Sequence, residues 1–288
     1  MMDPHFKYDI RDFQMHILGL LDVMDEVCRK HGLTYYIVGG TLLGSVRSQG
    51  FIPWDDDLDV AMFREDYEML LAHYREWLPE RYSIQSFESN RDYSRHFAKL
   101  EDRNTTLVER FHLRRMEGVY LDIFPLDDVP DNRMLRWLQY RRYRLFDKLL
   151  YFAYRDPYKH GDGFSSRMIA FFQKRMSKER LHGRMKAILT RYNGRKKCSC
   201  CMTHGGGYTA IPKTAYGKPA MYKFENGSYC GPEDAVTYLT LSYGKDYIIP
   251  PPPDKRETHY FQYCDFDRGY ETASFDELKK LYDEQKKK

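Results

Sequence analysis

The chain has 288 residues, 42% hydrophobic and 31% charged, with a formal net charge of +4. That length supports one substantial catalytic unit, or a core with an elaborated tail. No apolar run approaches the ~18 residues of a spanning helix, which excludes a chain built around membrane spans.

The small net charge hides an asymmetry: from Arg133 to Lys197, 19 Lys and Arg face four acids, Asp147, Asp156, Asp162 and Glu179. Such a basic block points to an anionic partner (phosphate-rich glycan, lipid headgroups or nucleic acid) or to a helical face that is simply solvated. Six cysteines are too few for a disulfide scaffold. Met1 to Asp12 lacks the apolar core of a signal peptide, so a reduced, cytoplasmic protein is expected. The 25 tyrosines exceed what a core requires and suit grooves and ligand walls.

In chain order, Ile10, Phe13, Ile17, Leu21, Met24 and Cys28 fall at helical spacing, predicting a helix over 10–31 that Gly32 ends. Tyr35 to Val38 is a short β run broken by Gly39-Gly40, and Thr41 to Arg47 can form one or two helical turns. Asp57 to Phe63 reads as a strand and Asp66 to Leu78 as a helix. Further strands are expected at 82–87, 96–100 and 119–124, with Pro125 and Pro130 bracketing a loop that holds Asp127 and Asp128. Basic amphipathic helices fill 132–154 and 165–192. After Gly194 the texture turns to strands and glycine turns, with a stiff polyproline stretch at 250–253 and a last helix at 274–288. The expected fold is α+β, with a mixed sheet core over 1–130, an added basic helical layer over 131–197 and a C-terminal mixed segment over 198–288, all one compact unit.

The chemistry concentrates in Val38-Gly39-Gly40-Thr41 and Trp54-Asp55-Asp56-Asp57-Leu58-Asp59. Four carboxylates within five residues repel one another, and a divalent cation offsets that repulsion. Alternation along a strand points Asp57 and Asp59 the same way, about 6 to 7 Å apart at Cα, within reach of one Mg²⁺. Asp55 shares their parity but precedes the strand. The glycine pair lets backbone N–H groups approach a phosphate, and Thr41 adds a hydroxyl where the helix dipole favours an anion. A third carboxylate is expected on a neighbouring strand. Asp122, between Leu121 and Ile123, is the candidate, either as a metal ligand or as the base for an acceptor hydroxyl.

The stretch from Tyr36 through Thr41-Leu42-Leu43-Gly44, Arg47 and Gly50-Phe51-Ile52-Pro53-Trp54 to Asp59 resembles the signature of the LicD family, related to the fukutin proteins. The resemblance continues at Asp122-Ile123-Phe124-Pro125-Leu126-Asp127 and at Tyr243-Gly244, Asp246-Tyr247, Pro250 to Pro252, Arg256 and His259. It implies a nucleotidyltransferase-type core that moves a phospho-substituent, typically phosphocholine, from a CDP-linked donor to a surface glycan or teichoic-acid precursor, releasing CMP. Carried onto this chain, it implies that Asp57, Asp59 and Asp122 bind Mg²⁺, with Mn²⁺ as the alternative, and that Gly39-Gly40 hold the donor phosphate.

Arg47 can fork onto a donor phosphate or pair with Asp55 or Asp56. Lys99 can counter phosphate charge or face solvent, and Trp54 can stack on a base or cap the core. Arg256 and His259, after the proline run, are placed over the site by the resemblance. The Cys198, Cys200, Cys201 and His204 spacing does not match paired zinc knuckles, so zinc is not expected. Trp137, Tyr140, Phe146, Tyr151 and Phe152 among arginines suit peripheral contact with an anionic membrane at the inner face, where lipid-linked glycan acceptors lie. No nucleic acid is expected. Two other readings stay open: a true nucleotidyltransferase that releases pyrophosphate, and a non-catalytic binder of anionic polymer.

Overall fold

The computed structural model describes residues 6, 8–158, 161–205, 207–256, 258–259 and 261–286. Helix α1 (Ile10–His31) starts where the Asp9 carboxylate accepts the N–H groups of Arg11 and Asp12, and ends at Gly32 in the left-handed conformation. Such an N-cap contributes about 1 kcal/mol. Phe13, Ile17, Leu21, Met24 and Cys28 are all buried, so the apolar stripe faces inward as its spacing requires.

Strands follow in the order β1 (Tyr36–Ile37), β2 (Asp59–Phe63), β3 (Tyr82–Gln85), β4 (Ala98–Val108), β5 (Glu117–Val129), β6 (Cys200–Met202), β7 (Ile211–Pro212), β8 (Ala220–Phe224), β9 (Gly227–Gly231) and β10 (Tyr263–Asp265). Eight of them make one sheet ordered β1-β2-β5-β4-β10. In it β3 pairs with β4, and β6 extends from β5 to β7; β8 and β9 form a separate hairpin. β2 and β5 are parallel and the other described pairs antiparallel, which makes the sheet mixed and the fold α+β. The C-terminal segment thus supplies strands to the sheet that the first half begins.

Several boundaries differ from those the sequence predicts. β2 starts at Asp59, so Asp57 lies just before the strand. Helix α2 (Gly39–Ser48) starts on the glycine pair itself, and α3 spans Arg64–Trp77. β4 continues past Leu100 because its acids have partners: Glu101 accepts from Gln85 and Tyr270, and Asp102 from Arg81.

The expected loop after Pro125 is instead strand, and Asp127 and Asp128 lie within β5. Asp122 donates its N–H to Leu58 on the β2 side, so by alternation the Pro125 nitrogen faces the other side. There β4 pairing ends at Ile123 and β6 pairing starts only at Asp127. The proline occupies the gap, where no donor is needed.

The basic layer comprises α4 (Arg133–Tyr154), α5 (Phe164–Gln173) and α6 (Lys178–Leu189). The single helix expected over 165–192 is broken, because Ser177 leaves the helix and caps α6 through the Arg180 N–H. Tyr143 and Leu150 of α4 pack on Met185 and Leu189 of α6, and Tyr140 and Phe146, both partly buried, pack against this cluster. Trp137 and Tyr151 are exposed. Short α7 (Lys213–Tyr216) and α8 (Ala235–Tyr243) stand where the sequence pattern predicts strands and turns; they precede a 3-10 turn at Pro253–Lys255 and α9 (Phe275–Gln285). Residues 287 and 288 of the expected last helix lie outside the described residues. No described helix is long and apolar enough to cross a membrane.

Candidate active site

Register brings the chemistry together. Asp59 of β2 pairs with Asp122 of β5, and Asp122 pairs in turn with Lys99 of β4, so three charged side chains form one row across three strands on one face. Asp57, Asp59, Asp122, Lys99, Gly39 and His259 all line one cavity of about 570 Å³. Its walls also carry Arg95, Phe97, Arg110, Tyr120, Tyr238 and Phe261, none of which stands out in the sequence. Their positions, from 95 to 261, have no common local pattern, which is why no window in the sequence reveals them.

The helix start at α2 is shaped around the acids. Gly39 has φ 57°, and a Cβ there would stand 2.6 Å from the Asp59 Oδ2; one at Gly40 would stand 2.5 Å from the Asp55 Oδ2. The glycines therefore admit carboxylates to the start of a helix, where the dipole favours negative charge. The Gly39 N–H donates to the Tyr238 hydroxyl at 3.0 Å, and the buried Thr41 Oγ1 accepts the Asp59 N–H at 2.8 Å. Thr41 thus fixes where the β2 strand begins.

Burial, and then the Asp57, Asp122 and Asp55 charges, push Asp59 well above the usual carboxylate range. Burial raises Asp122 to about 7 against the pull of Lys99, and burial with the Asp57 charge raises Asp55 to about 8. Asp122 Oδ1 is buried without a hydrogen-bond partner. Among the described residues no three His, Cys, Asp or Glu side chains converge into a complete ligand set. The donors fit Mg²⁺ nonetheless, since that ion is ordinarily held by one or two carboxylates together with substrate phosphates. Hard oxygen ligands, one of them an unpartnered buried carboxylate oxygen, suit it.

Asp56 is set apart from its neighbours. Although burial opposes it, bonds from His259 and Tyr8 hold its pKa low. The His259 Nδ1 lies 2.9 Å from Asp56 Oδ1, and its Nε2 lies 3.8 Å from Asp57 Oδ2. The bond to Asp56 raises His259 to about 9. Lys99 does not face solvent: it is 1% exposed and bonded to Glu109 at 2.6 Å and Glu117 at 3.0 Å. Trp54 is partly buried against the core, with the Arg256 guanidinium 4.1 Å over its ring. Arg47 is half-buried on α2. Burial lowers its pKa against the pull of Tyr243 and Asp55.

Cys198, Cys200 and Cys201 are free thiols, two of them buried, and Cys200 and Cys201 belong to β6. His204 is buried, and burial lowers it to about 4 against the pull of Asp127 and a backbone bond at Met202.

Gly39→Ala is expected to cost about 1–2 kcal/mol of stability from the positive φ and to reduce turnover by roughly 10²-fold by displacing the Asp59 carboxylate. Gly32→Ala is the control: φ is 69° there too, but nothing lies within 4 Å, so stability falls while turnover holds. Equal turnover in the two variants would show that the Gly39 corner is only backbone geometry.

The raised acids also set a pH dependence. Their unfolded values lie near 4, so the folded, metal-free protein retains protons that the unfolded chain has lost, and stability falls as pH rises through the folded values. His259, raised above its unfolded value, loses its contribution in the same direction. Buried His96 and His182, lowered by burial to about 3 and about 4, act oppositely but only below about pH 6.5. Thermal melts in chelator should therefore decline between about pH 6.5 and 9, and less steeply in Asp122→Asn. An identical slope in that variant would mean that Asp122 contributes nothing to the decline.

Residues 32–156 match a family model described as LicD/FKTN/FKRP, nucleotidyltransferase domain. The chain is 25% identical over 268 residues to the lipopolysaccharide cholinephosphotransferase LicD of Haemophilus influenzae, covering 89% of this chain and 97% of that protein. It is 33% identical over 57 residues to the ribitol 5-phosphate transferase FKRP of Homo sapiens, which is 20% of this chain and 10% of that one. An uncharacterized protein of Rickettsia typhi, RT0683, is 46% identical over 66 residues, 23% of this chain and 20% of that one.

Proposed function

We propose that this chain, whose residues 32–156 match the LicD/FKTN/FKRP nucleotidyltransferase-domain model, transfers a phospho-substituent from a CDP-linked donor to a hydroxyl of a cell-surface glycan or its precursor. The observation that carries this reading is the in-register pair Asp59 and Asp122, with Asp57 on the same cavity wall and a glycine corner against them. One or two of the carboxylates Asp57, Asp59 and Asp122 would hold Mg²⁺, or Mn²⁺, together with donor phosphate oxygens. The ion would neutralise phosphate charge and align the attacking and leaving oxygens.

The chain's own groups then divide the remaining work. Asp122, with a pKa of about 7, is suited to accept the acceptor hydroxyl's proton near neutral pH if it is not itself a ligand. Protonated His259, oriented by Asp56, holds a positive charge beside Asp57. Arg95 and Arg110 on the wall supply further positive charge for phosphates. Phe97, Phe124 and Phe261 also line the cavity, and aromatic rings suit a quaternary ammonium. These rings, and the resemblance over most of the chain to a cholinephosphotransferase, favour phosphocholine as the group moved.

Attack at the phosphorus bearing the substituent breaks its bond to the bridging oxygen, releasing CMP as the hydroxyl proton passes to a base. A screen of CDP-linked choline, ethanolamine, glycerol and ribitol with Mg²⁺ should give CMP with one donor above the others. Pyrophosphate from a nucleoside triphosphate, with no CMP from any CDP compound, would favour the nucleotidyltransferase alternative. A chain that turns over neither donor class would point to a binder of anionic polymer.

A further inference from the structure

Helix α5 presents its large apolar side chains to water. Phe164 is 80% exposed, Phe171 and Phe172 51% each and Met168 43%. Spaced four, seven and eight residues from Phe164, they share one helical face. The inward face is made of Ser166, Ile169, Ala170 and Gln173, mostly small or polar. Gln173 fastens it by donating to the carbonyls of Phe152 at 2.7 Å and Arg155 at 2.9 Å. A helix that only had to cover a core would put the phenylalanines where Ser166 and Ala170 are. Single exposed apolar residues need no explanation, but a contiguous aromatic stripe marks a surface that meets something.

The charge around the stripe identifies the partner. Arg167, Lys174 and Arg175 are exposed beside it, the Arg175 guanidinium lies 3.5 Å over the Phe171 ring, and no acid occurs between Asp162 and Glu179. We propose that α5 docks the protein on an anionic lipid bilayer, with Phe164, Phe171 and Phe172 in the headgroup–acyl boundary and Arg167, Lys174 and Arg175 among the lipid phosphates. A second copy on the same face would bring these cations against their own counterparts, and a purely apolar protein groove would leave them unpaired. A bilayer with anionic headgroups supplies apolar matter and negative charge at adjoining depths. The end of α4 that holds α5 also carries Tyr151 into the wall of the catalytic cavity, so docking brings that wall toward the membrane. The lipid surface stands on α5 alone and does not depend on the reaction proposed above.

The test is co-sedimentation of the full chain with vesicles of phosphatidylcholine alone or with added phosphatidylglycerol. Binding to the anionic vesicles is expected to exceed binding to the neutral ones by about 10-fold and to weaken with salt. The combined Phe164→Ser, Phe171→Ser and Phe172→Ser variant should lose at least about 10-fold in binding with an unchanged circular dichroism melt, since the rings are exposed. A second variant, Arg167→Gln with Arg175→Gln, keeps the rings and should bind with a reduced salt dependence, which tests the surface even if the triple variant fails to fold. Four results would overturn the proposal: wild-type protein left in the supernatant with anionic vesicles, a folded triple variant that binds as well as wild type, a double arginine variant with an unaltered salt dependence, or a lipid-free dimer that the triple substitution dissociates.

Discussion

Asp59→Asn is expected to lower turnover by roughly 10³-fold, a loss of about 4 kcal/mol of transition-state stabilisation, while raising the melting temperature of the metal-free protein. The two effects have one cause. Asp59 is packed against Asp57, Asp122 and Asp55, all of which raise the cost of ionising it, so a neutral isostere relieves repulsion when no cation is present. Asparagine leaves the backbone N–H bond from position 59 to Thr41 in place, so β2 should keep its start and its register. The checks are kcat with saturating Mg²⁺, and thermal melts in chelator and with Mg²⁺ restored. The variant should be the more stable protein in chelator and gain less from the ion than wild type does. Retained turnover, or a melting temperature below wild type in chelator, would remove the shared-cation reading of Asp59 and Asp122.

Lys99→Met should cost about 3–5 kcal/mol of stability, read by urea unfolding. Lys99 bridges two acids, Glu109 and Glu117, which also meet Arg95 and Arg115, and it lies 3.3 Å over the Tyr120 ring. Burial alone would raise Glu109; the Lys99 and Arg95 charges, with bonds from Lys99 and Tyr120, overcome it and hold its pKa well below the usual range. Methionine fills the space but leaves Glu109 and Glu117 near each other with only Arg95 and Arg115 to offset them. Lys99→Arg keeps the charge and should recover part of the loss, limited by the larger fork in a packed row. If Lys99 instead served a substrate phosphate, the methionine variant would unfold like wild type and show only a higher KM. The same substitution withdraws a charge that pulls down Asp122, so any remaining activity should have its pH profile shifted upward.

The acidic cluster and its partner strand were legible in the sequence because their signals are local. Asp57-Leu58-Asp59 carries its own parity, and a lone aspartate between Leu121 and Ile123 is costly to bury without a reason. Helix α1 was legible for the same cause: a regular apolar stripe with a capping aspartate before it and a glycine after it. Other features were hidden by distance. Asp56 takes its bond from His259, 203 residues away, and Gly39 donates to Tyr238 across 199 residues; no local window joins such pairs. The partners of Lys99 were hidden too, since Glu117 lies across the β4–β5 pair and Glu109 beyond the far end of β4.

Local chain chemistry alone was enough to specify the elements with strong periodicity or caps, the α+β class, and three acids, Asp57, Asp59 and Asp122, that line one cavity. Closure of the fold was needed for the row Asp59, Asp122 and Lys99, for the passage of β5 through Pro125, and for the outward turn of α5. The first group depends on interactions within a few residues, where spacing and backbone preference act directly. The second depends on which strand ends beside which and which charge is compensated from afar, choices made only when the whole sheet closes around its buried groups.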